Sequence, residues 1–404
     1  MVDQRRIDDQ RWVDAPTAAR HLGITVRSLY AYVSRGQVRS VAAERGRPRR
    51  YAFADLELLR VRRDARAGHG AVAAAALRWG EPVLDSSITA ITPRGPAYRG
   101  RLAVELADGG VAFENVAELL WSGYLPDARV AWPRSAIPLA QLARLVGDAR
   151  APLDVMPLLI HIAALGDRER DDLRPDALIA RGRQLIPLLA FARAAVSRAR
   201  GATSVAEIAV RAIGLADDAA PMIDRVLVLF ADHELNASSF TARVAASTGA
   251  DPYACISAAL ATVSGPRHGS ASEQVAQFAD AIGSPDAARA AVRALRKRGE
   301  LPPGFGHPLY PAGDPRAQPL LDAALQLPHA RRVRTLLAVI DAVTEAAPNC
   351  DVGLAALTAA LGSSSGRAPA TLAHRFCDGA GSGFLGSHRD TAGLRRIVLS
   401  LRNR

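Results

Sequence analysis

Four short polar stretches of the 404-residue chain hold side chains that could do chemistry. They are Asp232–Phe240 with His233, Ser264–Glu273 with His268, Gly304–Arg316 with His307 and Arg316, and Pro348–Gly353 with Asp351. Imidazoles exchange or donate protons near neutral pH, a carboxylate can accept one, and a guanidinium matches planar anions. The densest stretch, Gly304–Arg316, packs three glycines, three prolines, one histidine, one aspartate and one arginine into thirteen residues. That composition rules out a regular element and predicts a tightly turned loop. A rigid loop suits a site. Composition alone fits a plain connector better, with His307 and Arg316 facing water. His268 follows a Gly265-Pro266 turn at the start of an expected helix. There the helix dipole disfavours the imidazolium and leaves a neutral, hydrogen-bond-donating ring.

Long helices must position these stretches. From residue 81 onward the pattern is almost wholly helical, with Gly or Pro at the turns. Helices are expected at about 139–147, 153–165, 184–199, 204–214, 218–232, 237–248 and 252–263. Others follow at 270–283, 286–298, 317–326, 330–346, 352–361 and 369–386. Val116–Trp121 starts the first of them, and Gly123-Tyr124-Leu125-Pro126 stops it. Only Val83–Ile91 and Arg101–Ala112 suggest strands. Each polar stretch falls at a helix–helix junction. No dinucleotide-binding or P-loop glycine pattern is present, and no repeat of 20–50 residues.

Hydrophobic residues make up 49% of the chain and mean hydropathy is +0.04, as in a globular protein with a substantial core. No apolar run reaches the roughly 18 residues needed to span a bilayer, and Met1–Arg6 lacks a signal-peptide core. Cys255, Cys350 and Cys377 share no metal-type spacing and form no disulfide framework. These features predict a cytoplasmic protein without a structural metal. Lys297 is the only lysine. Residues 1–66 hold fifteen arginines against eight acidic residues, which is +7 of the net +11. Such a skew suits a nucleic-acid-binding appendage.

That basic segment has its own pattern. Asp14 and Thr17 can cap a helix that contains Pro16 and ends at Gly23. Val26–Val33 reads as a second helix with Val26, Leu29 and Val33 on one face. Val38–Val41 and Arg50–Phe53 flank a basic tip, Arg45–Arg49, as in a β-hairpin wing, and Asp55 opens a third helix over Leu56–Arg66. Ala18–Thr25, Ser28-Leu29-Tyr30, Gly36, Arg49-Arg50-Tyr51 and Asp55-Leu56 resemble the winged helix-turn-helix of the MerR and excisionase families. The resemblance implies DNA binding. Arg27, Ser28, Tyr30 and Tyr32 would lie near a major groove, and Arg47, Arg49 and Arg50 would reach phosphates. A fold kept only as a docking module is the alternative. Residues 67–80, rich in Ala and Gly, read as a linker.

The larger part, 81–404, is similar to the citrate synthase family. The resemblance rests on Tyr98-Arg99-Gly100, Phe113–Pro126, His233-x-x-Asn236-Ala237-Ser238, Gly265-Pro266-x-His268-Gly269, Gly304–Arg316 and Pro348-Asn349-x-Asp351. It implies a mainly α fold with large and small all-helical domains, the small one over roughly 269–360, and a homodimer. It also implies condensation of acetyl-CoA with oxaloacetate to citrate and free CoA. Asp351 would be the base, His268 a donor to the thioester oxygen, and His307 the group that polarises the ketone. His233 and Arg316 would hold the carboxylates. No metal, tightly bound cofactor, membrane or covalent protein intermediate is implied. Propionyl-CoA, giving 2-methylcitrate, is the substrate variant. A DNA-binding regulator with a citrate-synthase-like sensor domain is the other reading.

The sequence departs from the family pattern near its end. Ala380 stands where a further carboxylate-binding arginine is expected, and Gly386-Ser387 replaces an Ala-His pair. Losing one charge-assisted contact costs about 1.5–3 kcal/mol of binding. An altered dicarboxylate site follows as an expectation.

Overall fold

A computed structural model describes residues 12–35, 37–41, 49–53, 55, 56, 59, 87–133, 152–190, 201–213, 215–233, 236–265, 271–307, 309–327 and 331–362. The chain divides into two compact units, Met1–Pro82 and Val83–Arg404.

In the first unit a strand, β1 (Trp12–Asp14), leads into two helices, α1 (Ala15–Leu22) and α2 (Val26–Ser34). Asp14 Oδ1 accepts from the Thr17 N–H at 2.8 Å, Pro16 sits in the first turn, and Gly23 closes α1 in the left-handed region. Thr25 caps α2 by accepting from the Ser28 N–H. β2 (Ser40–Val41) and β3 (Arg50–Ala52) complete an antiparallel sheet of order β1-β3-β2. β1 was not expected, because three residues are too few to show an alternation. Val13, Ala18, Leu22, Leu29, Val38, Tyr51 and Leu56 form the core of this unit. The expected wing tip, apart from Arg49, and most of the third helix lie outside the described residues.

The second unit opens with a hairpin and a short third strand: β4 (Thr89–Thr92), β5 (Gly95–Tyr98) and β6 (Arg101–Leu102), in that order. This corrects the expectation of a strand over Arg101–Ala112. Ala103, Leu106 and Ala107 are buried at helical spacing, and Ala103–Asp108 is a helix, α3. The central strand is instead β5, whose Gly95 and Pro96 read as a turn in the sequence. Its Tyr98 is fully buried and donates to the carbonyls of Val228 and Leu229 at 3.0 and 3.2 Å.

Helices make up nearly all the remaining described elements. They are α4 (Phe113–Ser122), α5 (Pro152–Gly166), α6 (Pro175–Ala190), α7 (Val205–Ile213) and α8 (Ala220–Leu229). Next come α9 (Ala237–Ser247), α10 (Pro252–Val263), α11 (Ala271–Ile282) and α12 (Ala288–Lys297). Last are α13 (Ala317–Leu325), α14 (Arg331–Ala342) and α15 (Cys350–Ala360). The mainly α class expected from the pattern is what the chain adopts. α9, α10, α11 and α13 match their expected spans to within one residue at each end. α6 begins nine residues before its expected start at 184, because Pro175 and Asp176 supply a first turn. The expected helices at 139–147 and 369–386 lie outside the described residues. Among the described residues no helix is long and apolar enough to cross a membrane.

α4 is buried along Phe113–Trp121, polar residues included. Its buried acids and amide are held by hydrogen bonds. Glu114 accepts from the Val205 N–H, Asn115 bonds Val130, Pro126 and Ala128, and Glu118 receives the fork of Arg183 and the indole N–H of Trp132. α4 is therefore a fixed strut against which α8 packs.

α13 packs on α15 through Gly353. A Cβ there would lie 2.7 Å from Leu320 Cβ and 2.9 Å from the Ala317 carbonyl. Gly353→Ala is therefore expected to destabilise this unit by about 1–3 kcal/mol, through overpacking. A thermal melt unchanged from wild type would show that the two helices part freely.

Candidate active site

Two loops build the site. The first is the 304–316 loop ahead of α13. The second is the short link that ends at Asn349, the N-cap of α15. Phe305 and Pro348 form an isolated antiparallel bridge. The Gly306 N–H donates to the Ala347 carbonyl at 3.0 Å, and the Asn349 N–H to the Gly304 carbonyl at 2.8 Å. The two loops are thus laced together by backbone bonds. Gly304 is required at this crossing: φ is +84°, and a Cβ would sit 2.6 Å from Val352 and 2.7 Å from Val275. The lacing sets His307 just beyond one edge and Asp351 just beyond the other.

Asp351 lies in the first turn of α15, where a negative charge is favoured by the helix dipole. Its N–H donates to Asn349 Oδ1 at 2.9 Å. His307 is half-buried, and its Nδ1 accepts from the Leu309 N–H at 3.1 Å. In the neutral ring the proton is therefore on Nε2, which makes that nitrogen a donor. Burial lowers the His307 pKa, with Arg316 adding to the effect and Asp314 opposing it. His307 is accordingly a neutral donor at pH 7.

His233 follows α8. Its ring lies 5.9 Å from that of His307 and 5.7 Å from that of Tyr310, centroid to centroid. His233 Nε2 is 3.0 Å from the Tyr310 hydroxyl. Arg316 is buried, with its guanidinium 5.0 Å from the centre of the Phe230 ring and 5.8 Å from that of Tyr310. Its Nε and Nη2 grip both oxygens of Asp314, at 3.0 and 2.8 Å. Burial opposes ionisation of Asp314, but the charge and hydrogen bonds of Arg316 outweigh it and hold the carboxyl well below its usual range. Burial also works against the charge on Arg316, and Cys350 and Asp314 beside it more than compensate. With two donor groups committed, Nη1 is the arm of Arg316 with no acceptor among the described residues.

The structure therefore brings His233, His307, Arg316 and Asp351 to one corner of the second unit. His268 and Ala380 lie outside the described residues. Tyr310, Asp314 and Asn349 were given no role in the sequence, although an Asn two residues before an acid at a helix start is a cap signal. Among the described residues no cluster of His, Cys, Asp and Glu is placed to hold a metal ion.

In the first unit Arg27 and Tyr30 project from α2 as exposed side chains, and Arg49 and Arg50 are exposed at β3. Ser28 Oγ lies 2.9 Å from Thr25 Oγ1, inside the helix cap. Arg47 lies outside the described residues.

A mainly helical body with two imidazoles, a guanidinium and a carboxylate around one corner offers hydrogen-bond donors, an anion ligand and a base to a small polar substrate. The comparisons with known proteins give the family. The model of the citrate synthase C-terminal domain matches residues 76–366, and that of the MerR HTH family of regulatory proteins matches residues 16–71. The chain belongs to the citrate synthase family, and carries a MerR-type helix-turn-helix segment at its N-terminal end. It is 30% identical to "Citrate synthase 2" of Bacillus subtilis over 266 residues, covering 60% of this chain and 71% of that one. It is 32% identical to "2-methylcitrate synthase" of Mycobacterium tuberculosis over 254 residues, covering 57% and 63%. Among solved structures, citrate synthase from Thermotoga maritima aligns with a TM-score of 0.62 at 26% identity, over 76% of this chain and 89% of that one. The fold is also shared with citrate synthase from Thermoplasma acidophilum, at a TM-score of 0.57 and 19% identity, over 77% and 90%.

Proposed function

We propose that the protein condenses an acyl-CoA with oxaloacetate, acetyl-CoA giving citrate and free CoA. The observation that carries this reading is the lacing of 304–306 to 347–349. It fixes a carboxylate and a neutral, donor imidazole on one frame. Asp351 takes a proton from the carbon next to the thioester, and His268 donates to the enolate oxygen that develops. The enolate carbon attacks the ketone of oxaloacetate, which His307 polarises through Nε2–H. The resulting alkoxide takes that proton. Water then cleaves the citryl thioester and releases CoA. His233 and the Nη1 arm of Arg316 hold the carboxylates. The solved Thermoplasma relative is a ternary complex with carboxymethyl coenzyme A and oxaloacetate, in keeping with this pairing of substrates.

The same reading gives a winged helix-turn-helix over 1–66, a linker over 67–80 and a catalytic region over 81–404. In that region a small domain, 269–360, closes over the substrates in a cytoplasmic homodimer. Closure excludes water until the carbon–carbon bond has formed. With Ala380 in place of an arginine, the dicarboxylate site is weaker than is usual in the family. The thiol-release assay ranks the acyl donors: acetyl-CoA is expected to exceed propionyl-CoA, and the reverse order makes the product 2-methylcitrate. No CoA release with either thioester, oxaloacetate present, overturns the reading.

The N-terminal segment supports a second activity, binding to DNA. Exposed Arg27 and Tyr30 on one helix and Arg49 and Arg50 beside it match base and phosphate contacts. Arg50→Ala is expected to lower the slope of log affinity against log salt by about 1. If the helix-turn-helix only docks proteins, no duplex will be retained in a gel shift at low salt. Modulation of the shift by acyl-CoA or oxaloacetate would mark the larger unit as a sensor.

A further inference from the structure

We propose that Tyr310 is the positioning residue of this site. Its hydroxyl donates to Nε2 of His233 and thereby holds the proton of that imidazole on Nδ1, as the donor offered to the substrate carboxylate. The proposal rests on the reading of His233 as a carboxylate ligand.

Tyr310 is 2% exposed and lies among three of the four described side chains assigned to the site, His233, His307 and Arg316. Its hydroxyl is 3.0 Å from His233 Nε2. Its ring centre is 5.7 Å from that of His233 and 5.0 Å from that of His307, and the Arg316 guanidinium lies 5.8 Å from it. The backbone fixes this placement. The Tyr310 N–H donates to the His307 carbonyl at 3.1 Å, and the Gly313 N–H donates to the Tyr310 carbonyl at 3.0 Å. The phenol is thus held by two consecutive turns of the same loop that carries His307 and Arg316.

The chemistry of the imidazole supplies the direction of the bond. A neutral ring has one donor and one acceptor nitrogen. An anionic substrate needs the donor, so the nitrogen turned away from it must accept. A phenol ionises near pH 10 and keeps its proton at neutral pH, so it can donate to that nitrogen. His307 is set in the opposite tautomer by the Leu309 N–H at its Nδ1. The two imidazoles are thereby frozen in complementary states, one by a backbone amide and one by a side chain. Without the Tyr310 hydroxyl, His233 could turn its acceptor nitrogen toward a carboxylate, which repels it.

The test uses the full-length protein with 15N-labelled histidine, the His233 resonances being assigned with His233→Ala. Long-range 15N–1H spectra at neutral pH are expected to show the His233 proton on Nδ1. In Tyr310→Phe, which keeps the ring, the two tautomers are expected to mix. Oxaloacetate affinity by calorimetry is expected to fall about fivefold to tenfold, the worth of one neutral hydrogen bond. Turnover at saturating oxaloacetate should change much less than KM. A wild-type His233 carrying its proton on Nε2 overturns the proposal without any variant. So does an unchanged tautomer and affinity in Tyr310→Phe. Failure of the condensation reading looks different: the wild type releases no CoA, while the tautomer measurement still decides the role of Tyr310.

Discussion

Asp351→Ala is expected to lower oxaloacetate-dependent CoA release by about 10²–10⁴, the usual contribution of a positioned acid–base group. The fold should survive it. Asp351 is only half-buried, and its N–H, which donates to Asn349 Oδ1, belongs to the backbone and remains in the variant. Oxaloacetate should still bind, because the groups assigned to its carboxylates, His233 and Arg316, belong to other segments. The combination of intact substrate binding and lost turnover is the signature of a base. Asp351→Asn keeps the shape and removes the charge, and should be as inactive as the alanine variant. A folded variant that keeps most of its turnover would move the base elsewhere.

The second large effect is on stability. Asp314 and Arg316 form a fully buried ion pair, with side chains 0% and 4% exposed. Asp314→Ala strands the guanidinium in the interior and is expected to cost about 3–5 kcal/mol, read as a fall in the unfolding midpoint. A double replacement, Asp314→Leu with Arg316→Met, should recover much of that loss, since a buried pair exchanges for apolar residues at little cost. It should not recover oxaloacetate binding, because the carboxylate-gripping arm is gone. Equal stability of the single and double variants would contradict the ion-pair account. The pair also has a pH signature. Asp314 is depressed in the folded protein, so its contribution is complete above the unfolded carboxyl pKa, about 4. It fades as pH falls through the lower folded value, and the double variant should lack that part of the acid sensitivity.

Much of this was legible in the sequence, for identifiable reasons. Helices bounded by caps were placed well: Asp251 before Pro252 starts α10, and Asn236 starts α9, each with its side chain accepting from the backbone N–H three residues on. The strand β5 was missed because its Gly95 and Pro96 belong to turn chemistry, yet both pair in register with β4. α3 was taken for a strand because six residues hardly separate the two periods. At the site, residue types marked His233, His307, Arg316 and Asp351 only as side chains able to do chemistry, and the family resemblance supplied their roles. The lacing between Gly304–Gly306 and Ala347–Asn349 was not visible, because it is made of backbone bonds between segments some forty residues apart. Tyr310 and Asp314 were invisible as partners for the same reason. Their roles come from what the turns bring beside them.

The most direct test of the central claim is free-thiol release from acetyl-CoA by the full-length protein, with and without oxaloacetate, beside the Asp351→Ala variant. The account predicts release that depends on oxaloacetate in the wild type and background release in the variant. Release that is independent of oxaloacetate, absent in the wild type, or equal in the two proteins would contradict it.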